Sequence, residues 1–179
     1  RRALVLAWHK LDAWPDSSRG IAMLRKHGLV APVSNGNVSL MAALARRNSF
    51  HWDAILGAEF SRDYKPKPDV YLSACAAFDL APEDCMMVAA HSDDLAAAKA
   101  CGLQTGFVAR PNEKGPGKGE SRPTIAVDVA GDDMVDLAQK IFGGEDPDVS
   151  GRPGEDPAQV MMQALQEMAM YFHAITMDR

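Results

Sequence analysis

Long apolar runs are what this sequence lacks most. None approaches the roughly 20 residues needed to cross a bilayer as a helix, so no membrane span is expected. The opening RRALVLAW has the basic start of a signal peptide, but its apolar run is too short and HKLD ends it. Cysteine is scarce. Cys75, Cys85 and Cys101 are odd in number, widely spaced and set among apolar residues, which excludes a disulfide frame and a zinc spacing and points to a reduced, cytoplasmic home. Basic residues are not in excess either: 19 Lys and Arg stand against 24 Asp and Glu, a net charge of −5. That argues against nucleic acid or an anionic membrane as the main partner, while leaving small anions open, because these respond to local charge. An initiator methionine is also missing, so the sequence reads as the interior of a longer protein. What remains is 179 residues, 47% hydrophobic and 24% charged, enough for one domain with a proper core plus an appendage.

Apolar segments of two kinds alternate along the chain. DSSRGIAMLRKHG has helical spacing, with Asp16, Ser17 or Ser18 as candidate caps and Gly28 as a stop. LVAPV, residues 29–33, reads as a buried strand ending in a polar turn. NVSLMAALARRN is a helix with Asn37 as N-cap and basic residues in its last turn. DAILGAEF is a short strand, and KPDVYLSACAAFDL a helix that Pro68 opens. CMMVAA is a third strand, DLAAAKACG a helix closed by Gly102, QTGFVA a fourth strand, TIAVDVA a short edge strand and DDMVDLAQKIF a helix. The strands are continuously apolar, the signature of a parallel sheet covered on both faces, so the fold class is α/β, a three-layer αβα sandwich of Rossmann type. Ligands of such sheets bind beyond the carboxyl ends of the strands. Ser34-Asn35-Gly36 and His91-Ser92-Asp93-Asp94 follow the first and third strands and so belong to that edge.

SNGN places a hydroxyl, an amide and a flexible glycine where several donors can converge on an anion, although a helix cap and turn would use the same residues. YKPKPDVY offers Lys65, followed by a proline, and Tyr71 six residues on. A lysine fixed in this way lowers a neighbouring carboxylate's pKa or holds a charged substrate. Lys67 is expected to be the more exposed of the two lysines. Residues 110–123, RPNEKGPGKGESRP, carry no core signal and read as a loop.

In order, VSNGN, YKPKPDVY and VAAHSDDLAAA resemble the second, third and fourth motifs of the haloacid dehalogenase superfamily, over roughly residues 3–142. The likeness is to its 2-haloacid dehalogenases rather than its magnesium-dependent phosphatases. Those phosphatases carry Gly-Asp-x-x-x-Asp in the fourth motif, because a divalent cation needs carboxylate oxygens; here an alanine takes the first ligand position. The resemblance therefore implies a metal-free site without a cofactor. In the family, an aspartate attacks C2 of a 2-haloacid, expels halide with inversion and forms an ester that water hydrolyses. It also implies that Ser34 and Asn35 bind the substrate carboxylate and Lys65 keeps the nucleophile ionised. Tyr71 would support Lys65 or the substrate, and Asp94 would orient the lysine and the attacking water. His91 and Ala89 stand where a common dehalogenase pattern has asparagine and serine. A neutral His91 could accept the water's proton; a structural role is the alternative. Asp94 could also serve as a helix cap.

The superfamily's nucleophile precedes the cap, and nothing upstream of Trp8 can supply it, nor do Asp12 and Asp16 follow a buried strand. Residues 1–12 are expected to be the remnant of a helical cap and its return linker. Residues 13–142 would be a core domain without its first central strand, so that two strand edges are left unpaired. Residues 143–179 would be a linker plus a helix, with Asp156 as N-cap and Pro157 at the first position. The stripe on that helix (Val160, Met161, Ala164, Leu165, Met168, Phe172, Ile175) would pack on its own domain or on a second subunit of a homodimer. Three readings remain open: the parent of a 2-haloacid dehalogenase, this chain alone being inactive; a magnesium-dependent phosphatase of the same superfamily; and a non-catalytic remnant acting as a binding or oligomerisation module. The Met-rich tail (Met161, Met162, Met168, Met170) favours the third, since such surfaces adapt to partners.

Overall fold

The computed structural model describes residues 6–142, which belong to one compact unit, residues 1–142. The expected tail helix lies outside the described residues. Residues 6–8 are helical, followed by α1 (Ser17–Leu24), β1 (Val33–Ser34), α2 (Val38–Asn48), β2 (Leu56–Gly57), α3 (Ala58–Ser61) and α4 (Pro68–Ala77). A 3₁₀ turn, Pro82–Asp84, leads into β3 (Met86–Ala89), α5 (Ser92–Ala100), β4 (Gln104–Val108), β5 (Val129–Gly131) and α6 (Met134–Phe142). All strand pairings are parallel, as an alternating strand and helix order requires. No described helix is long and apolar enough to cross a membrane.

The strands form two sheets, β1-β2 and β3-β4-β5. Among the described residues β1 pairs only with β2 and β3 only with β4, so each keeps one edge open, the arrangement that the family resemblance implies. The open edge leaves all four residues of β3 only half-buried, although their sequence is apolar throughout; β4, paired on both sides, is buried after Gln104. Coverage on both faces thus holds for β4 and only in part for β3.

Three elements differ from the periodicity. The strand expected over 29–33 is confined to Val33–Ser34, and Leu29 is 60% exposed. Its partner contributes only a short edge: Asp53 N–H donates to Val30 O and Leu56 N–H to Pro32 O. DAILGAEF divides at Gly57 into β2 and α3. Gly57 has φ +115°, and a side chain there would collide with the backbone of Ser34, so only glycine lets the two strand ends lie this close. Helix α1 stops at Leu24, a turn before Gly28.

The core centres on β4. Phe107, Leu95 of α5 and Ala109 form one buried cluster, with Ile125 and Val127 packed against it. Tyr71, Cys75, Ala98 and Leu103 form another, against which Cys85 and Cys101 pack. The three cysteines, far apart in sequence, therefore meet in one apolar cluster as free thiols. Burial and a hydrogen bond with Cys85 push the Cys75 thiol up to about 12.

Candidate active site

Both polar turns sit at carboxyl ends of parallel strands, Asn35-Gly36 after β1 and His91 after β3. Pro68 sits in the first turn of α4, where its missing N–H costs nothing and its fixed φ suits the helix. That start places Tyr71 one turn in, 1% exposed. Asp94 lies in the first turn of α5. Its Oδ2 accepts from Lys65 Nζ at 2.5 Å and its Oδ1 from the Tyr71 hydroxyl at 2.6 Å. The side chains of Lys65 and Asp94 are 17% and 16% exposed, so the pair is largely removed from water, where its attraction is strongest. Burial, and then the bond to Asp94, push the Tyr71 phenol well above its usual range; it stays a donor at any physiological pH. The N-cap position of α5 is His91, and the Asp94 carboxylate turns to Lys65 and Tyr71 rather than capping the helix.

Asn35 explains how Lys65 is held. Its Oδ1 accepts from the Lys65 N–H at 2.7 Å and its Nδ2 donates to the Lys65 carbonyl at 3.3 Å, a two-point grip by one amide on one peptide residue. The Lys65–Pro66 bond is cis. Ser34 Oγ accepts from Gly36 N–H at 3.0 Å, and Asn37 caps α2 by accepting from Leu40 N–H at 2.8 Å. Lys67, 66% exposed, pairs with Asp63. Ser34, Asn35, Lys65, Tyr71 and Asp94 are thus linked, directly or through neighbouring backbone, at one edge of the sheet.

His91 stands apart from that chain of bonds. Its Nε2 lies 2.7 Å from Glu113 Oε2, and the two side chains are 44% and 32% exposed. It borders an open cleft of about 670 Å³ whose walls include Trp8, Leu11, Trp14, Glu113 and Glu120. Asp12 is bonded to Arg47 at 2.9 Å and Asp16 to Arg110 at 2.7 Å, so neither carboxylate joins the Lys65–Asp94 pair. Burial alone would raise the Asp16 carboxyl; the Met134 N–H and Arg110 outweigh it and hold the group below its usual range.

Sequence reasoning passed over Arg110, Glu113 and Glu120. Residues 110–123 lack apolar periodicity, yet Arg110 is 8% exposed and both glutamates reach the turn after β3. A signal was present: the loop leaves the carboxyl end of β4, and a loop leaving that end of a parallel strand borders the ligand edge whatever its hydrophobicity.

Parallel sheets with an ion-paired lysine and aspartate at their carboxyl edge define an α/β protein whose polar cluster lies where such sheets bind ligands. The haloacid dehalogenase-like hydrolase family model matches residues 1–102, and the chain belongs to this family. It is 28% identical over 116 residues to (S)-2-haloacid dehalogenase 1 of Pseudomonas sp. (strain CBS-3), covering 63% of this chain and 51% of that protein. Two solved structures are similar at 40% identity. The defluorinating L-2-haloacid dehalogenase Rha0230 has a TM-score of 0.74 over 77% of this chain and 57% of its own. The L-2-haloacid dehalogenase PA0810 has a TM-score of 0.76 over 79% and 61%. The chain spans about half the length of the curated relatives it matches.

Proposed function

We propose that this chain is the part of a 2-haloacid dehalogenase that neutralises and orients the reacting groups, and that dehalogenation of a small anionic 2-haloacid is the activity of the whole protein. The observation that carries this reading is the Lys65–Asp94–Tyr71 triangle, fixed from behind by Asn35. A lysine so held keeps an adjacent nucleophilic carboxylate ionised, and its charge offsets that of the substrate carboxylate. Ser34, at the end of β1, would bind the substrate carboxylate, with Asn35 contributing through its hold on Lys65. Asp94 would keep Lys65 in place and accept from the water that hydrolyses the ester, while Tyr71 keeps Asp94 from turning. His91, partly exposed at the cleft, would border that water's path.

The same proposal divides the chain into residues 1–12 as the return from a cap, 13–142 as the core domain and 143–179 as linker and helix. A cytoplasmic home is supported by three free thiols in an apolar setting. A homodimer formed through the tail is part of the reading and is checked by size-exclusion chromatography with and without residues 143–179.

The test is halide release from 2-chloropropionate in the presence of a chelator, with fluoride release from 2-fluoropropionate alongside because one relative is described as defluorinating. Residues 1–179 alone are expected to release neither. The same chain carrying an aspartate-bearing strand and cap ahead of residue 1 is expected to release halide and lose this activity in the Lys65→Ala variant. Turnover of an aryl phosphate that stops with the chelator would replace this reading with the phosphatase.

A further inference from the structure

Helix α5 carries Asp94 but has no cap in its own sequence. His91, at the N-cap position, is extended and makes no side-chain cap bond, and Asp94 is bonded to Lys65 and Tyr71. Another helix leaving this edge, α2, is capped by its own Asn37. An uncapped first turn leaves backbone N–H groups without acceptors and frays. Glu120, 28 residues beyond Ser92, takes the cap's place. Its Oε1 and Oε2 accept from the Ser92 N–H at 3.3 and 3.1 Å, and Oε2 also accepts from the Ser92 hydroxyl at 2.5 Å. Ser92, 3% exposed, in turn accepts from Thr124 N–H at 2.9 Å. Glu120 is itself fixed, because Arg110 N–H donates to its carbonyl and Gly119 N–H to Pro111 O, both at 2.9 Å. A side chain at Gly119 would collide with the Arg110 carbonyl, so glycine is what lets the loop close there.

We propose that Glu120 is a positioning residue for the Asp94 carboxylate: held by the loop after β4, it fixes the first turn of α5 so that Asp94, two residues beyond Ser92, meets Lys65 and Tyr71 together. It acts through Ser92 and touches none of the reacting groups. Two partners at hydrogen-bond distance on opposite oxygens tolerate little rotation of the turn that carries them. A loop anchor alone would need no contact with the helix's first N–H; Glu120 bonds both that N–H and the hydroxyl beside it. The proposal deepens the reading of Asp94 given above, and its test needs no turnover.

The experiment uses the full 179-residue chain labelled with ¹³Cζ-tyrosine. Of three tyrosines, the Tyr71 signal is assigned by Tyr71→Phe, and its loss of the Asp94 bond is calibrated with Asp94→Ala. Glu120→Ala is expected to move the Tyr71 signal most of the way to its Asp94→Ala position, and Glu120→Gln, which keeps an acceptor, to return it close to wild type. A Tyr71 signal unmoved in Glu120→Ala, with only a lower melting temperature, would overturn the proposal and leave a loop anchor. If Glu120→Ala does not fold, Ser92→Ala decides: a smaller displacement in the same direction supports the proposal, and none overturns it. A chain that releases no halide still returns the Tyr71 signal, so failure of the dehalogenase reading and failure of this one are separate results.

Discussion

The two sheets of this molecule are held in different ways. Around β3-β4-β5 the chain buries Leu95, Phe107 and Leu137 almost completely, and α5 and α6 pack on the strands. Around β1-β2 the strands are two residues long, α2 buries none of its residues, and Leu29 and Val38 stay exposed. Polar ties do the joining there. Asn48 accepts from Ala13 N–H and donates to the Leu11 and Leu44 carbonyls, Asp53 binds Arg25 and the Val30 N–H, and Glu59 accepts from Val38 N–H. Burial is non-directional and tolerates small shifts, whereas hydrogen bonds demand geometry. The candidate site draws on both: Asp94 stands on the apolar half, and Asn35, which grips Lys65, on the polar one.

This contrast makes an ordered set of expectations. The largest effect belongs to the β4 core. Phe107→Ala is expected to cost about 4 kcal/mol, most of the stability of a marginal domain. Leu44→Ala, on the half-buried side of α2, is expected to cost roughly 1 kcal/mol, since little apolar area leaves contact. Urea denaturation of the two variants side by side measures both; equal losses would mean that α2 belongs to the same core.

Next comes the joint between the halves. Asp94→Asn removes the charge beside Lys65 while keeping an acceptor for Tyr71, and is expected to cost about 2 kcal/mol, below the value for a fully buried pair because both side chains retain some exposure. Hydrogen exchange would show where that loss falls. Protection is expected to drop in α4 and α5 before β4. A drop that starts in β4 would place the pair within the core rather than at its edge.

The polar half should also be the acid-sensitive one. The Arg25 side chain, and then the Val30 N–H, hold the Asp53 carboxyl below its usual 3.8. A carboxylate lowered by folding stabilises the fold fully above its unfolded value and loses that contribution as pH falls through the lowered one. Exchange at the amides of residues 30 and 53 is therefore expected to accelerate below about pH 4, and Asp53→Asn to flatten that dependence. The main donors to Asp128 are the neutral Thr105 hydroxyl and N–H, which also hold its carboxyl low but lack the charge of Arg25, so β4 is expected to respond less. Identical pH profiles in the two halves would remove the distinction.

The sequence made the second half of the molecule easier to read than the first. Strands β3 and β4 announce themselves by apolar runs because helices cover them; the run LVAPV looks the same, but Pro32 has no N–H to give a ladder and Leu29 stays exposed, and the strand is confined to Val33–Ser34. Lys65, Tyr71 and Asp94 were legible because a motif fixes residue types at fixed spacing. Asn35's grip on the backbone of Lys65 was not, since an amide that binds substrate and one that binds a peptide look alike in sequence. Glu120 was hidden for another reason. A cap supplied from 28 residues away leaves no mark on the helix it caps except the lack of a cap there, and HSDD, with two aspartates, masks even that.

The smallest expected effect tests the contrast most sharply. Glu113 and Glu120 leave the same loop and reach neighbouring residues, His91 and Ser92. The Ser92 contact is part-buried and satisfies a helix N–H; the His91 contact is exposed on both sides. An exposed pair of this sort gains little, because water and salt screen it and two side chains must be ordered to make it. Glu113→Gln is therefore expected to shift stability by less than about 0.5 kcal/mol, with the change shrinking further in 0.5 M salt. Asn48→Ala, in the polar half, is expected to cost about 1–2 kcal/mol, because three backbone groups lose their partner at once. Urea midpoints for the two variants decide it. If Glu113→Gln proves as costly as Asn48→Ala, the half built on β4 depends on polar ties as much as its neighbour, and the division between the two sheets fails.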